Sequence, residues 1–177
     1  PPSSTKIFLS YSRDDDARIA RLHAALSALP GLTVFRDVHD ILPSEEWRAR
    51  LEKLIRDCDT LLFAISPSSV RSETCRWELG LAESLNKRII PVMLVPTEDA
   101  VPPQASKRNY IFLTDAQDYE AGIETIRYAI DLDIGWIREH TRLAELAARW
   151  RGAGRNRAQP LRGKELNEAE DWLMRQP

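Results

Sequence analysis

The chain reads as an α/β domain: a flavodoxin-like parallel sheet of five strands in the order 2-1-3-4-5, helices on both faces, and a C-terminal helical extension. Three observations predict it. Five short apolar runs alternate with segments of helical periodicity, the pattern of strand-helix-strand units. The first, third and fourth runs are continuous instead of alternating, as expected when helices cover both faces of a sheet. After residue 136 the strand signal stops, while apolar residues keep recurring at helical spacing.

Lys6-Ile7-Phe8-Leu9-Ser10-Tyr11 is the first strand. Asp14, Asp15 and Asp16 put negative charge where a helix begins, Ile19, Leu22, Leu26 and Leu29 recur at helical spacing, and Pro30-Gly31 ends the segment. Leu32-Thr33-Val34-Phe35 is a short second strand, followed by a polar loop over residues 36–44. Trp47, Leu51, Leu54, Ile55 and Cys58 mark the next helix, with Ser44 as its N-cap and Glu45 and Glu46 in its first turn. Residues 60–65 form an unbroken apolar strand closed by Ser66-Pro67-Ser68-Ser69, and a third helix is expected over residues 75–86. Residues 88–95 give the fourth strand, whose Pro91 predicts a bulge or a place near the edge. Residues 97–109 read as a loop without a helix, residues 110–113 as the fifth strand, and Tyr119, Ile123, Ile126 and Ile130 as a helical stripe.

The division expected is a core domain over residues 1–132 and a helical extension over 133–177. In the extension Trp136, Leu143 and Trp150 are spaced seven apart along a helix that Gly152-Ala153-Gly154 breaks, and Leu166, Ala169 and Leu173 mark a last short helix. Three of the five tryptophans fall here, so this segment must bury something: either the core domain's last helix or an assembly partner.

Composition narrows the function. Lys plus Arg number 25 and Asp plus Glu 27, a net charge of -2, which gives no electrostatic reason to expect nucleic acid or an anionic membrane. Two cysteines and three scattered histidines make neither a disulfide framework nor an evident metal site. No apolar run approaches the roughly 18 residues that span a bilayer. The opening Pro-Pro-Ser-Ser-Thr has no signal-peptide pattern, so a cytoplasmic domain is expected. There is no G-x-G-x-x-G after a strand, no P-loop, and no H-E-x-x-H, C-x-x-C or G-x-S-x-G. A phosphoacceptor receiver domain is also excluded, because Ser10-Tyr11-Ser12 and Ile65-Ser66-Pro67 stand where its acids belong.

In an open parallel sheet the ligand lies beyond the carboxyl ends of the strands at the topological switch point, here between strands 1 and 3. That brings together Ser10, Tyr11, Ser12 and Arg13 with residues 66–76, and lets the loop of residues 36–44 close over the same edge. Arg13 is suited to a phosphate. Glu78, expected in the first turn of the third helix, shares a face with Cys75, Ala82 and Leu85. A carboxylate on an otherwise apolar face is unusual; the alternative is a structural partner for Arg71 or Arg76.

These segments resemble the TIR domain family, in its bacterial form. The resemblance covers residues 5–132. It rests on Ile7-Phe8-Leu9-Ser10-Tyr11-Ser12-Arg13-Asp14, Val34-Phe35-Arg36-Asp37 with Ile41-Leu42-Pro43, Phe63-Ala64-Ile65-Ser66-Pro67-Ser68-Ser69, Ser72-Glu73-Thr74-Cys75-Arg76-Trp77-Glu78-Leu79, and Lys87-Arg88-Ile89-Ile90-Pro91-Val92. The extension, with His140-Thr141-Arg142-Leu143 and Leu161-Arg162-Gly163, is similar to the helical segment after TIR domains in some large bacterial proteins, which implies that this chain belongs to a longer one.

The resemblance implies cleavage of NAD+ at its nicotinamide-ribose bond, by hydrolysis or cyclisation, in bacterial defence or cell-death signalling. NAD+ is then a substrate, and neither a cofactor nor a metal is implied. The S-x-x-C-x-x-E pattern falls on Ser72, Cys75 and Glu78 and makes Glu78 the catalytic residue. Phe8 and Tyr11 become candidates to contact adenine or nicotinamide, Arg13 the pyrophosphate, and Ser10, Asp37, Ser72, Cys75 and Trp77 further binding positions. Self-association through TIR domains is implied as the activating step. Two positions depart from the family pattern: Thr74 stands where active relatives often have Trp, with Trp77 nearby, and Pro43-Ser44 stands where Pro-Gly is usual. Two competing functions remain open, a non-enzymatic adaptor that associates through residues 37–44 and a deoxyribosyltransferase-like enzyme acting on nucleosides.

Overall fold

The computed structural model describes residues 4–36, 45–155 and 161–175. The chain divides into two compact units, Pro1–Asp131 and Leu132–Pro177.

The first unit is built on five parallel strands. These are β1 (Thr5–Ser10), β2 (Leu32–Arg36), β3 (Thr60–Ile65), β4 (Arg88–Met93) and the two-residue β5 (Ile111–Phe112), in the order β2-β1-β3-β4-β5. Strand alternation sorts the apolar runs onto two faces. Ile7, Leu9, Leu62, Ala64, Ile90 and Val92 face one core, completed by α1 (Asp16–Ser27) and α6 (Tyr119–Asp131). Phe8, Leu61, Phe63, Ile65, Ile89 and Met93 face the other, completed by α2 (Glu45–Asp57), α4 (Glu73–Ser84) and the short α5 (Pro103–Ser106). The fold predicted from the apolar runs is the fold observed.

Local signals account for most boundaries. Helix α4 ends in a Schellman motif: Asn86 adopts φ 51, its N–H bonds Glu83 O at 2.9 Å, and Lys87 N–H bonds Ala82 O at 2.8 Å. Pro91 lies opposite Phe63 in β4, second from the edge, and only Val92 and Met93 of β4 pair with β5. Two short helices correct the expected loops. Residues Pro67–Arg71 form α3, capped by Ser66 with Pro67 in its first turn, and α5 interrupts residues 97–109. Ser44, Asp37 and the loop between them lie outside the described residues.

The second unit pairs α7 (Ile134–Gly152) with α8 (Lys164–Met174). Trp136 and Trp172 stack with ring centroids 4.6 Å apart. Each indole N–H donates to the other residue's carbonyl, Trp136 Nε1 to Trp172 O at 3.1 Å and Trp172 Nε1 to Trp136 O at 2.9 Å. His140 stacks on Trp136 at 5.8 Å. The predicted break at Gly152-Ala153-Gly154 is a second Schellman motif, with Gly154 at φ 70 and Arg155 N–H bonded to Trp150 O at 3.0 Å. Among the described residues no helix is long and apolar enough to cross a membrane.

Two helical glycines separate packing from propensity. A Cβ at Gly122 in α6 would meet Leu113 Cδ1 at 2.4 Å, whereas one at Gly80 in α4 meets nothing within 4 Å. Overpacking costs about 1–3 kcal/mol, against a helix-propensity gain of up to about 1. Urea unfolding should therefore show Gly80→Ala more stable than the parent by about 0.5–1 kcal/mol and Gly122→Ala less stable. The reverse order would show that neither helix is packed as described.

Candidate functional site

Ser10 ends β1 and lies opposite Phe63 of β3, so the carboxyl ends of these two strands mark the switch point of the sheet. Being an even-numbered position of β1, Ser10 faces α4 together with Phe8. Helix α4 turns Cys75, Glu78, Leu79 and Ala82 inward. The two meet: Ser10 Oγ donates to Glu78 Oε2 at 2.5 Å, with Ser10 wholly enclosed and Glu78 only 2% exposed. Such a length is at the short end for a hydroxyl donating to a carboxylate.

The start of α4 differs from the expected one. Ser72 is its N-cap, accepting from Cys75 N–H at 3.2 Å, and the helix begins at Glu73. Glu78 therefore sits in the second turn and not in the first, beyond the reach of the helix dipole. Arg71 and Arg76 are engaged elsewhere. Arg71 pairs with Asp99 at 2.7 Å, and Arg76 Nη2 donates to Arg71 O at 3.3 Å.

The other candidates distribute unevenly. Ser72 and Cys75 join Glu78 on the segment leading into and through α4. Trp77, half-buried, carries the guanidinium of Arg48 6.0 Å from its ring centroid. Arg13 is exposed in the 3-10 turn Arg13–Asp15 that follows β1. Phe8 is a core residue at 0% exposure, packed between β1 and the α2/α4 layer on the face that also carries Ser10. Tyr11 packs with the α1/α6 core, so it and Phe8 lie on opposite faces of the sheet. Asp37 lies outside the described residues.

One pair was not foreseen. Ser66 Oγ, just past β3, donates to Asp15 Oδ2 at 2.5 Å, and both groups are buried. Ser66 Oγ also accepts from Ser69 N–H at 3.0 Å, while Ser66 N–H donates to Ser69 Oγ at 2.9 Å, a closed capping box for α3. The dipeptide Ser66-Pro67 is the usual sequence mark of such a cap.

Both thiols are held neutral. Burial pushes Cys75 up to about 12, the nearby Glu78 adds to this, and hydrogen bonds with Ser72 and Ser10 oppose it. Burial likewise pushes Cys58, at the opposite end of the sheet, up to about 12 against the pull of Lys87. Neither is a nucleophile near neutral pH. Among the described residues no group of three His, Cys, Asp or Glu is placed to hold a metal ion.

A family model described as the TIR domain matches residues 7–127. The TIR domain of a Toll-related receptor from Hydra magnipapillata matches with a TM-score of 0.58 and 18% identity, covering 70% of this chain and 94% of that one. A metazoan TIR-STING receptor from C. gigas, solved with 2',3'-cGAMP, matches with a TM-score of 0.53 and 26% identity, covering 71% of this chain and 40% of that one. A CMP N-glycosidase from Clostridium botulinum gives a TM-score of 0.51 and 17% identity over 70% of this chain and 99% of that one. No match was found among curated proteins.

The raised thiols fix the sign of a pH effect. Above the ordinary thiol value of 9.0 the unfolded chain releases both protons while the folded chain keeps them until about 12. The unfolded state then binds fewer protons, so stability present below pH 9 is lost as pH rises from 9 toward 12. Unfolding free energies from pH 8 to 11 should fall more steeply for the parent than for Cys58→Ala/Cys75→Ala. Equal slopes would refute the assignment.

Proposed function

The chain belongs to the TIR domain family, and on that premise we propose that it is an NAD+ nucleosidase, a glycohydrolase or cyclase, with Glu78 as its catalytic carboxylate. The observation that carries this reading is the Glu78 side chain enclosed at the switch point and bonded by Ser10. A structural glutamate has little reason to be buried on an apolar helix face at the one edge where this fold binds ligands.

The chemistry suits a single carboxylate. Nicotinamide leaves the cationic ring of NAD+ as a neutral base, so departure needs no general acid. The ribose gains oxocarbenium character in the transition state, and an ionised Glu78 stabilises that charge and binds the ribose hydroxyls. Ser10 orients Glu78. Arg13 is free to meet the pyrophosphate at the mouth of the crevice. Trp77 and Ser72 are assigned to substrate binding, as is Asp37, which lies outside the described residues, and Cys75 supports Glu78 as a packed neutral thiol. No metal enters the reaction. The fold of the Clostridium botulinum CMP N-glycosidase is shared, so N-glycosidic cleavage is chemistry that this architecture accommodates, by fold-level analogy alone.

Because Glu78 is enclosed, substrate entry needs the crevice to open, and self-association of TIR domains is the trigger in this reading. Its setting is the cytoplasm of a bacterium, in defence or cell-death signalling, with the helical extension leading to a further domain. The same enclosure favours a second reading, a non-enzymatic module that signals by association alone.

At high protein concentration the parent should consume NAD+ and release nicotinamide, and Glu78→Ala should lose roughly a hundredfold or more of that rate. Mass spectrometry of the product separates hydrolysis from cyclisation. Equal NAD+ loss by both proteins would sink the catalytic reading. Concentration-dependent association without nicotinamide release would establish the second one.

A further inference from the structure

The enclosed bonds at the switch point form a crossed pair. Ser10, at the end of β1, donates to Glu78 on the helix that follows β3. Ser66, just past the end of β3, donates to Asp15 on the segment that follows β1. Each strand end thus grips the other strand's helical wall, and both bonds measure 2.5 Å.

Asp15 closes the 3-10 turn that Ser12 caps and that runs directly into α1, and its side chain makes no cap bond there. Its carboxylate is turned to Ser66 instead. Ser66 in turn opens α3, which runs over Pro67–Arg71 directly into Ser72, at once the C-cap of α3 and the N-cap of α4. The path from Asp15 to Glu78 is therefore a chain of hydrogen-bonded caps with no free linker in it.

We infer that Asp15 is a positioning residue of the candidate site: by holding Ser66 it fixes the α3-α4 wall against β1 and so keeps Glu78 and Cys75 in place over Ser10. This rests on the reading of Glu78 as the catalytic carboxylate. Asp15 touches no reacting atom in it; its effect is on the geometry of the wall.

The molecule carries its own reporter and its own control. Cys75 lies in the wall that Asp15 holds, beside Glu78, while Cys58 lies at the amino end of β3, at the far edge of the sheet. Both are buried and neutral, so in the folded parent both react slowly with a thiol reagent. With Asp15→Ala, Cys75 should be alkylated at least tenfold faster while Cys58 keeps its parent rate, each site followed by peptide mass spectrometry. Asp15→Asn keeps an acceptor for Ser66 and should stay within about threefold of the parent, as should Ser66→Thr, which keeps the hydroxyl.

In the NAD+ assay Asp15→Ala should lower kcat about tenfold with KM within twofold, and Asp15→Asn should recover most of the loss. An unchanged Cys75 rate overturns the inference, as does equal acceleration of both cysteines, which would mean general destabilisation. An unchanged kcat in an active parent also overturns the positioning role. The labelling needs no turnover: a parent that cleaves no NAD+ refutes the glycohydrolase reading, and the two thiols still decide whether Asp15 holds the wall.

Discussion

Enclosing a carboxylate is the constraint on which this architecture turns. Removing an ion of this size from water costs several kcal/mol unless hydrogen bonds replace its hydration. For Glu78 a replacement comes from a strand end, Ser10, and so ties the phase of α4 to the register of β1. A one-residue slip in β1 would present Leu9 or Tyr11 to the α4 layer in place of Ser10 and leave the carboxylate facing hydrocarbon. Register, helix phase and the candidate chemistry are thus one requirement seen from three elements.

The opposite end of the sheet handles charge by different means. The Lys87 ammonium, buried after the left-handed turn at Asn86, donates to Cys58 O at 2.8 Å, and Asp59 accepts from Lys6 N–H at 2.8 Å. These groups satisfy backbone where strands begin. They fasten the amino edge, so that adjustment for a ligand falls on the carboxyl edge, where loops and caps form the walls.

Much of this was legible in the sequence, for physical reasons. Strands buried on both faces must be apolar throughout, so β1, β3 and β4 announce themselves, and their alternation with α1, α2, α4 and α6 leaves few topologies. Glu78 stood out because periodicity placed a charge on an apolar face. Helices α3 and α5 were missed because five and four residues complete barely one turn and show no period. Periodicity gives a helix its phase but not its start, hence the misplaced first turn of α4. The bond from Ser66 to Asp15 joins positions 51 apart, and no local pattern encodes it.

The edges of the sheet differ in what they offer another chain. Strand β5 pairs through only Ile111 and Phe112, and β4 beside it carries a proline with no N–H. That margin is too short to template a continuing strand. On the far side β2 presents five residues, ending in Arg36. Growth of the sheet by edge-to-edge pairing is therefore one-sided at best, and a ribbon extended through both margins is closed to this chain. Contacts through helices and loops can be made and released without threatening the strands inside.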